Sequence, residues 1–365
     1  MGNKLIWPDY RNCIANLPNS ILKKFGTETA GDTLPLADRY LEKDCRNIVT
    51  LILDGMGISI LNKHLQQDGP FRSRLAGAYQ SVFLSTTTAA TTSALSGLQP
   101  CEHGWLGWDN YYPQIDRNVT VFLNTVQNTE IPAADYHVAR RYTPYESVPD
   151  RIRKQGGTAY ECMPFVPPYP KTFEEICALI KARCEEPGRK YIYAYWDQPD
   201  GLMHQYGTGA PAVHETLMKL ETEASRLAEQ LKDTLIFVTA DHGHIDTEYA
   251  VLQDEPELCD CLVRMPSLEP RVLNFFIREG MRERFEYLFQ ERFGDRFILM
   301  PVEEALRRKL FGTAKPRDDL RSMLGDYLAI ATGPFSIYFN DERWLSMHGS
   351  ITEEEMMIPL IVFGS

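Results

Sequence analysis

The sequence predicts an α/β fold in which a mostly parallel central sheet is flanked by helices, with a small α+β insertion. Three apolar segments have the length and composition of buried strands: residues 47–53, 191–196 and 234–239. A long segment with helical spacing of its apolar residues separates the last two. This strand–helix–strand order is typical of a βαβ unit, whose two strands run parallel.

Each predicted strand leads directly to an acid. "NIVTLIL" is followed by Asp54, "YIYAYWDQP" by Asp200 and "TLIFVTA" by Asp241. Ligands of parallel sheets bind beyond the carboxyl ends of the strands, so we expect these acids to converge on one place.

Two segments between the strands predict amphipathic helices that flank the sheet. In residues 212–233 one face carries Val213, Leu217, Leu220, Ala224, Leu227 and Leu231. In "TFEEICALIKARCEE", Thr172 and Glu175 have the spacing of a capping box, which predicts a helix that begins at this point.

The character of the chain changes between residues 256 and 334. Short apolar runs such as "RVLNFFI" and "RFILM" flank the helical "RERFEYLFQERF", and core-strand character returns with "IPLIVFG" at residues 358–364. We therefore expect residues 1–255 and 335–365 to form the core, and residues 256–334 to form a small inserted cap subdomain over the mouth of the site.

Composition and charge argue against several classes of function. The chain of 365 residues is 44% hydrophobic, enough for a sizeable core, and its net charge of −12 disfavours a nucleic-acid groove or a polybasic membrane surface. No apolar run approaches the roughly 18 residues that a membrane helix needs. The eight cysteines resemble ordinary intracellular thiols. We expect a cytoplasmic protein that binds neither nucleic acid nor a membrane.

Carboxylates and imidazoles cluster at the predicted strand ends and once more near the end of the chain. The candidate ligands are Asp54, Asp200, His204, Asp241, His242 and His348. Such a mixed set suits Zn²⁺, with Mn²⁺ or iron as alternatives, and six ligands without a thiolate suggest two ions in one pocket. Any one of these residues could instead cap a helix or form a turn. The convergence of several strand ends favours a metal site, and Gly243 is expected to let the chain turn sharply beside it.

A threonine-rich turn, "STTTAATTSALSG" at residues 85–97, follows the apolar "SVFL". Most of these hydroxyls are expected to cap or pack within the following helix. One hydroxyl at a helix N-terminus, where exposed N–H groups favour an anion, could attack phosphorus if a metal lowered its pKa.

Taken together, these segments resemble the alkaline phosphatase superfamily and, within it, the type I phosphodiesterase/nucleotide pyrophosphatase family. The likeness lies in "LILDGMG", "SGLQPCEHGWLG", "YWDQPDGLMHQYG", "VTADHGH" and "MHGSITEEEMMIPL", which occur in the family's order. The resemblance implies an alkaline-phosphatase-like fold and a dinuclear site. One ion would be held by the nucleophile with Asp54, Asp241 and His242, and the other by Asp200, His204 and His348.

The nucleophile implied by the resemblance is Thr87, which is also a metal ligand. Thr86 and Thr88 remain alternative nucleophiles, because three consecutive threonines leave the alignment with the family's motif uncertain by one residue. The implied mechanism is an in-line displacement that forms a phospho-threonine intermediate, which water then hydrolyses. Two divalent ions against three aspartates leave about one net positive charge, enough to attract a phosphate into an acidic protein.

The sequence departs from the family at one position. Many phosphodiesterases of the family carry an asparagine that contacts a phosphate oxygen where this chain has Trp108. Asn110, two residues on, could substitute for it, so Trp108 and Asn110 are the candidate substrate-binding residues. His103 is expected to be structural, whereas His244 and Asp197 are near enough to orient the ligands.

We expect a metal-dependent phosphodiesterase or pyrophosphatase-like hydrolase that acts on a small-molecule phosphate ester. A phosphomonoesterase or phosphosugar mutase of the same superfamily is one alternative, and a non-catalytic metal- or ligand-binding protein is an alternative of another class. A sulfatase is disfavoured, because "STTTAATTS" lacks the Cys/Ser-x-Pro-x-Arg context of those enzymes. The sequence leaves the oligomeric state and the natural substrate open.

Overall fold

The computed structural model describes residues 4–341 and 343–364. Its helices are α1 (Asn16–Lys24), α2 (Pro35–Leu41), α3 (Ile58–His64), α4 (Pro70–Ser73), α5 (Thr87–Ser96), α6 (Pro100–His103), α7 (Val138–Tyr142), α8 (Val148–Lys154), α9 (Phe173–Glu185), α10 (Asp200–Tyr206), α11 (Pro211–Gln230), α12 (Pro256–Cys259), α13 (Arg282–Phe293), α14 (Val302–Arg307), α15 (Leu320–Leu324) and α16 (Glu353–Met356). Its strands are β1 (Asn47–Leu53), β2 (Leu75–Gln80), β3 (Asp109–Tyr112), β4 (Arg117–Thr120), β5 (Thr125–Val126), β6 (Thr158–Cys162), β7 (Lys190–Trp196), β8 (Thr234–Thr239), β9 (Ile245–Asp246), β10 (Glu248–Val251), β11 (Ser267–Glu269), β12 (Val272–Phe275), β13 (Phe297–Pro301), β14 (Tyr327–Ala331), β15 (Phe335–Tyr338), β16 (Ser346–Met347) and β17 (Met357–Phe363).

The central sheet has the strand order β2-β17-β8-β1-β7-β6. Strands β8, β1, β7 and β6 run parallel, and β1 pairs with β7 from Asn47 opposite Lys190 to Leu53 opposite Trp196. Strand β17 is antiparallel to both β2 and β8. Every residue of β1 is buried, as expected for a strand covered on both faces. The predicted fold class, a mostly parallel sheet flanked by helices, is confirmed.

The two predicted helices cover the sheet as α9 and α11, which pack on each other. The hydroxyl of Thr172 accepts a hydrogen bond from the N–H of Glu175 at 3.2 Å, as a capping box requires. The carboxylate of Glu175, however, accepts from the N–H of Lys171 rather than from that of Thr172. Only half of the predicted capping box therefore forms.

A second sheet has the order β13-β14-β12-β11-β3-β4-β5, and its strands are antiparallel. Its members come from two separate parts of the chain, β3–β5 and β11–β14. They are joined where Leu268 on β11 pairs with Asp109 on β3. Residues 256–334 thus share a sheet with strands of the first part of the chain, and their division into a cap subdomain stays a prediction.

A cavity of about 700 Å³ lies between strands of the second sheet and the segments that carry Thr87, Asp200, His204 and His348. This size is in the range of pockets that bind small molecules. Among the described helices, none is both long enough and apolar enough to cross a membrane.

Candidate metal centre

Three strands of the central sheet bring the predicted acids together. Asp54 directly follows β1, Asp241 comes two residues after β8, and Asp200 opens α10 shortly after β7. At the end of β1, Gly55 adopts a φ of +75°, and its N–H donates a hydrogen bond to Oδ1 of Asp241 at 3.1 Å. This turn links the ends of two neighbouring strands, so the sheet itself fixes the spacing of their acids.

The first group of candidate ligands is Asp54, Asp241 and His242. Nε2 of His242 lies 3.3 Å from Oδ1 of Asp54 and 3.4 Å from Oδ2 of Asp241. The Nδ1 of the ring lies 3.1 Å from the carbonyl oxygen of Gly243, so Nδ1 donates to it and Nε2 faces the carboxylates. Those two buried carboxylate oxygens accept no hydrogen bond from any described residue. Such unpaired buried oxygens beside an imidazole nitrogen fit a divalent cation.

The second group is Asp200, His204 and His348. Nε2 of His204 lies 3.4 Å from Oδ2 of Asp200, and Nε2 of His348 lies 3.6 Å from its Oδ1. Nδ1 of His204 donates to the carbonyl oxygen of Ser346 at 2.8 Å, which turns Nε2 towards the acid. The rings of His348 and His242 stack with centroids 3.8 Å apart, so the two groups adjoin. All six predicted ligands are therefore close together.

His244 supports the second group. Its Nε2 lies 2.5 Å from Oδ1 of Asp200 and its Nδ1 lies 3.1 Å from the hydroxyl of Ser346. His244 also forms, with Asp200, His242 and His348, a group whose ligand atoms lie close enough together to hold one ion. Its expected role of orienting the carboxylate stays a prediction. Asp197, the other residue considered for such a role, is half-buried, and burial raises the pKa of its carboxyl.

Negative charge accumulates at this centre. Burial, together with the charges of Asp241 and Asp200, raises the pKa of Asp54 well above its ordinary value. Burial opposes a charged His242, but Asp241 and Asp54 raise its pKa to about 10. Burial likewise opposes ionisation of Asp200, yet the imidazoles beside it, His204 first, hold its pKa well below the usual range. Divalent cations would neutralise this excess of negative charge.

Thr87 carries the hydroxyl that faces the first group. It is the first residue of α5, and its Oγ1 lies 3.1 Å from Nε2 of His242 and 3.5 Å from Oδ2 of Asp54. The hydroxyl of Thr86 instead donates to a glutamate on β11, and that of Thr88 is buried without a partner among the described residues. Of the three threonines, Thr87 has the placement of a nucleophile.

His103 ties α5 to the loop that follows it. Its Nδ1 accepts a hydrogen bond from the N–H of Trp105 at 3.0 Å, so Nε2 donates to the hydroxyl of Ser93 on α5, also at 3.0 Å. Burial, followed by the charge of Arg317, lowers the pKa of His103 to about 3. This neutral, fully bonded ring is structural, as the sequence led us to expect.

The two candidate substrate-binding residues have different placements. The side chain of Trp108 is 42% exposed and lines the cavity. Asn110 is buried: its Nδ2 donates to the carbonyl oxygen of Gly104 at 3.0 Å, and its Oδ1 accepts from the N–H of Gly107 at 3.1 Å. Both ends of this amide hold the loop together, so the structure does not bring Asn110 to the cavity.

Two polar residues of the centre were not predicted from the sequence. The hydroxyl of Tyr195, at the end of β7, donates to Oδ2 of Asp54. Glu269, the last residue of β11, lines the cavity beside Thr87. The alternating tyrosines of "YIYAYW" were a signal for the first. No local signal exists for Glu269, because its place depends on the pairing of β11 with β3.

Comparison with known proteins identifies the family of the chain. The sequence profile of the type I phosphodiesterase/nucleotide pyrophosphatase family matches residues 48–269. Human ectonucleotide pyrophosphatase/phosphodiesterase 5 has a similar structure, with a TM-score of 0.66, 16% identity and 87% of each chain covered. The murine protein in complex with AMP gives a TM-score of 0.63, 16% identity and the same coverage.

A third similar structure is phosphonoacetate hydrolase from Sinorhizobium meliloti 1021 in complex with phosphonoformate. Its TM-score is 0.59 at 15% identity, covering 87% of this chain and 90% of the other. These structures show the shared fold, and no curated protein gives a significant sequence match. Because the family profile spans more than half of the chain, the chain belongs to the type I phosphodiesterase/nucleotide pyrophosphatase family of phosphoric ester hydrolases.

Proposed function

We propose that the protein hydrolyses small-molecule phosphodiesters at a centre of two divalent ions, with Thr87 as the nucleophile. The observation that carries this proposal is the position of the Thr87 hydroxyl. It stands at the N-terminus of α5, 3.1 Å from Nε2 of His242, beside carboxylate oxygens that no described residue satisfies.

The residues present fit two ions. One would be held by Asp54, Thr87, Asp241 and His242. The other would be held by Asp200, His204 and His348. We propose Zn²⁺ because mixed carboxylate and imidazole ligands suit it, with Mn²⁺ and iron as alternatives. When bound, such ions lower the pKa of a coordinated hydroxyl and stabilise the negative charge that develops on the phosphate.

The residues of the chain supply the nucleophile and its orientation. After its hydroxyl has lost its proton, Oγ1 of Thr87 forms a bond to phosphorus while the bond from phosphorus to the leaving-group oxygen breaks on the opposite side. The N–H groups of the first turn of α5, which have no partner within the helix, would face the anion and favour its charge. Water then cleaves the phospho-threonine and restores the hydroxyl.

Two further observations support a small phosphate ester as the substrate. The cavity of about 700 Å³ suits a small molecule, and Trp108 and Trp344 line it with partly exposed indoles. The related structures contain AMP in one case and phosphonoformate in another, both small phosphorus-containing anions.

The test compares hydrolysis of bis(4-nitrophenyl) phosphate with that of 4-nitrophenyl phosphate, each with added Zn²⁺ or Mn²⁺ and with EDTA. We expect turnover that EDTA abolishes and that favours the diester. A preference for the monoester would place the protein with the phosphatases or mutases of the superfamily. A protein that binds no metal and hydrolyses neither ester would refute the proposal.

A further inference from the structure

Glu269 is a buried carboxylate on the wall of the cavity that the reaction described above does not use. Its side chain is 5% exposed, and its Oε1 accepts hydrogen bonds from the hydroxyl of Thr86 at 2.5 Å and from the N–H of Trp108 at 2.7 Å. Both Glu269 and Thr87 line the cavity. The carboxylate is thus anchored to the residue that immediately precedes the nucleophile.

The opposite side of Glu269 rests on the loop that carries a metal ligand. A Cβ atom at Gly349 would lie 3.1 Å from Cβ and Cγ of Glu269, so this glycine leaves room for the side chain. Gly349 directly follows His348, one of the candidate ligands. Glu269 therefore lies between the nucleophile turn and the His348 loop, on the wall of the cavity that Thr87 and His348 also line.

The negative charge of Glu269 has little local compensation. Among the residues that the structure describes, no lysine or arginine forms an ion pair with it. Asp109 adds repulsion, while His242 and the two hydrogen bonds favour the charged form. Burial, which dominates, raises the pKa of Glu269 to about 7. The two donors on Oε1 favour the ionised carboxyl, which is then a fixed anion on the cavity wall.

We propose that Glu269 determines specificity by disfavouring doubly charged phosphomonoesters relative to singly charged phosphodiesters. This inference rests on the proposed function. A diester carries one negative charge and a monoester carries two above neutral pH, so a nearby carboxylate repels the monoester more strongly. Glu269 would thus create specificity by weakening the binding of monoesters, and not by strengthening the binding of diesters.

The first test is Glu269→Gln, which keeps the shape of the side chain and an oxygen that can accept from Thr86 and Trp108. At pH 8.5 the ratio of kcat/KM for 4-nitrophenyl phosphate to that for bis(4-nitrophenyl) phosphate should rise about tenfold, which corresponds to ~1.4 kcal/mol. Glu130→Gln, at an exposed position on the same cavity wall, is the matched control and should leave the ratio unchanged. If Glu269 only supports the nucleophile turn, both substrates lose activity together and the unchanged ratio overturns the inference.

A second measurement does not need turnover. Inorganic phosphate, a dianion at pH 8.5, is titrated into the Zn²⁺-loaded wild-type protein and the Glu269→Gln variant by calorimetry. The variant should bind phosphate about tenfold more tightly. Equal affinities would overturn the role of Glu269. A wild-type protein that hydrolyses neither ester would refute the proposed function alone, because the phosphate titration still decides whether this carboxylate repels a dianion.

Discussion

Thr86, Thr87 and Thr88 are identical side chains in three different surroundings. Successive residues of a helix point about 100° apart, so a shift of one residue along the chain changes the neighbours of a hydroxyl. The first hydroxyl bonds to Glu269, the second faces His242, and the third is buried without a partner in the described chain. The sequence alone could narrow the candidate nucleophile to these three threonines. The position at which α5 begins then determines that the hydroxyl of Thr87 is the one that faces His242.

Replacing Thr87 by alanine should lower kcat for the diester by about 10³-fold or more, because the displacement then has no nucleophile. Metal content, measured by mass spectrometry after dialysis, should stay near that of the wild type, since the six other candidate ligands of the two groups are unchanged.

Thr88→Ala is the matched control, and we expect near-normal turnover because the Thr88 hydroxyl makes no hydrogen bond within the described residues. Thr87→Ser should recover part of the lost activity. Normal turnover in Thr87→Ala would show that another group attacks the phosphate.

Gly243 shows where reasoning from the sequence reached the right residue for the wrong reason. The expected sharp turn is not what demands glycine, because Gly243 does not adopt a positive φ. A Cβ atom at this position would lie 2.0 Å from the carbonyl oxygen of Glu354. The constraint is the close approach of a segment from far along the chain, which no local pattern reveals.

At the scale of elements, a buried ion pair joins the second sheet to the loop that carries His348. Nε and Nη2 of Arg271, between β11 and β12, donate to the two carboxylate oxygens of Glu355 on α16 at 2.6 and 2.8 Å. Both side chains are fully buried. The same carboxylate accepts from the N–H of Ser350 at 2.9 Å and the hydroxyl of Thr352 at 2.7 Å. The pair therefore fixes the segment between His348 and α16.

Arg271→Met should lower the free energy of unfolding by about 3–5 kcal/mol, because it leaves the Glu355 carboxylate buried without its cation. Urea denaturation measures the loss. The double variant Arg271→Met/Glu355→Leu should regain much of it, since neither charge is then left unpaired. Lys219→Met, which breaks the exposed pair with Glu174, is the control and should cost at most about 1 kcal/mol. A loss that small in Arg271→Met would contradict the role given to the buried pair.

Long elements with a strong periodic pattern were predictable from the sequence, and short ones were not. The strands β1, β7, β8 and β17 and the helix α11 each carry their own apolar pattern. Because three of these strands end in acids, the candidate ligands could be predicted with them. The second sheet could not, because β3–β5 are short and join it only where Asp109 on β3 pairs with Leu268 on β11, far along the chain.

For the whole molecule, the buried acids of the centre couple metal binding to stability. Asp54 and Asp241 are almost fully buried, and burial raises the pKa of both carboxyls. Without cations these groups repel each other and Asp200, or must take up protons. A ligand that binds only the folded state stabilises it in proportion to the logarithm of its concentration over its Kd.

Removing the metal ions with EDTA should therefore lower the Tm by about 5–10 °C, since a ligand at roughly a thousand times its Kd contributes about 4 kcal/mol. Differential scanning calorimetry measures the shift, and an excess of Zn²⁺ or Mn²⁺ should reverse it. Asp241→Asn should show a smaller response to EDTA, because one binding group has lost a charge. The metal content of the protein is measured in parallel. If EDTA removes the ions and the Tm does not change, bound ions are excluded as a source of stability.

The strand order β2-β17-β8 has a consequence for how the molecule is made. Strand β17 follows every other strand along the chain, yet it lies between β2 and the parallel strands β8, β1, β7 and β6. While the ribosome is still synthesising the chain, the facing edges of β2 and β8 cannot yet be joined, and such long-range pairing is slow to form. His348, the last candidate ligand along the chain, is made after β8. Metal loading is therefore expected only after the His348 segment has been made, and nascent chains with an open β8 edge are the species that chaperones must protect from aggregation.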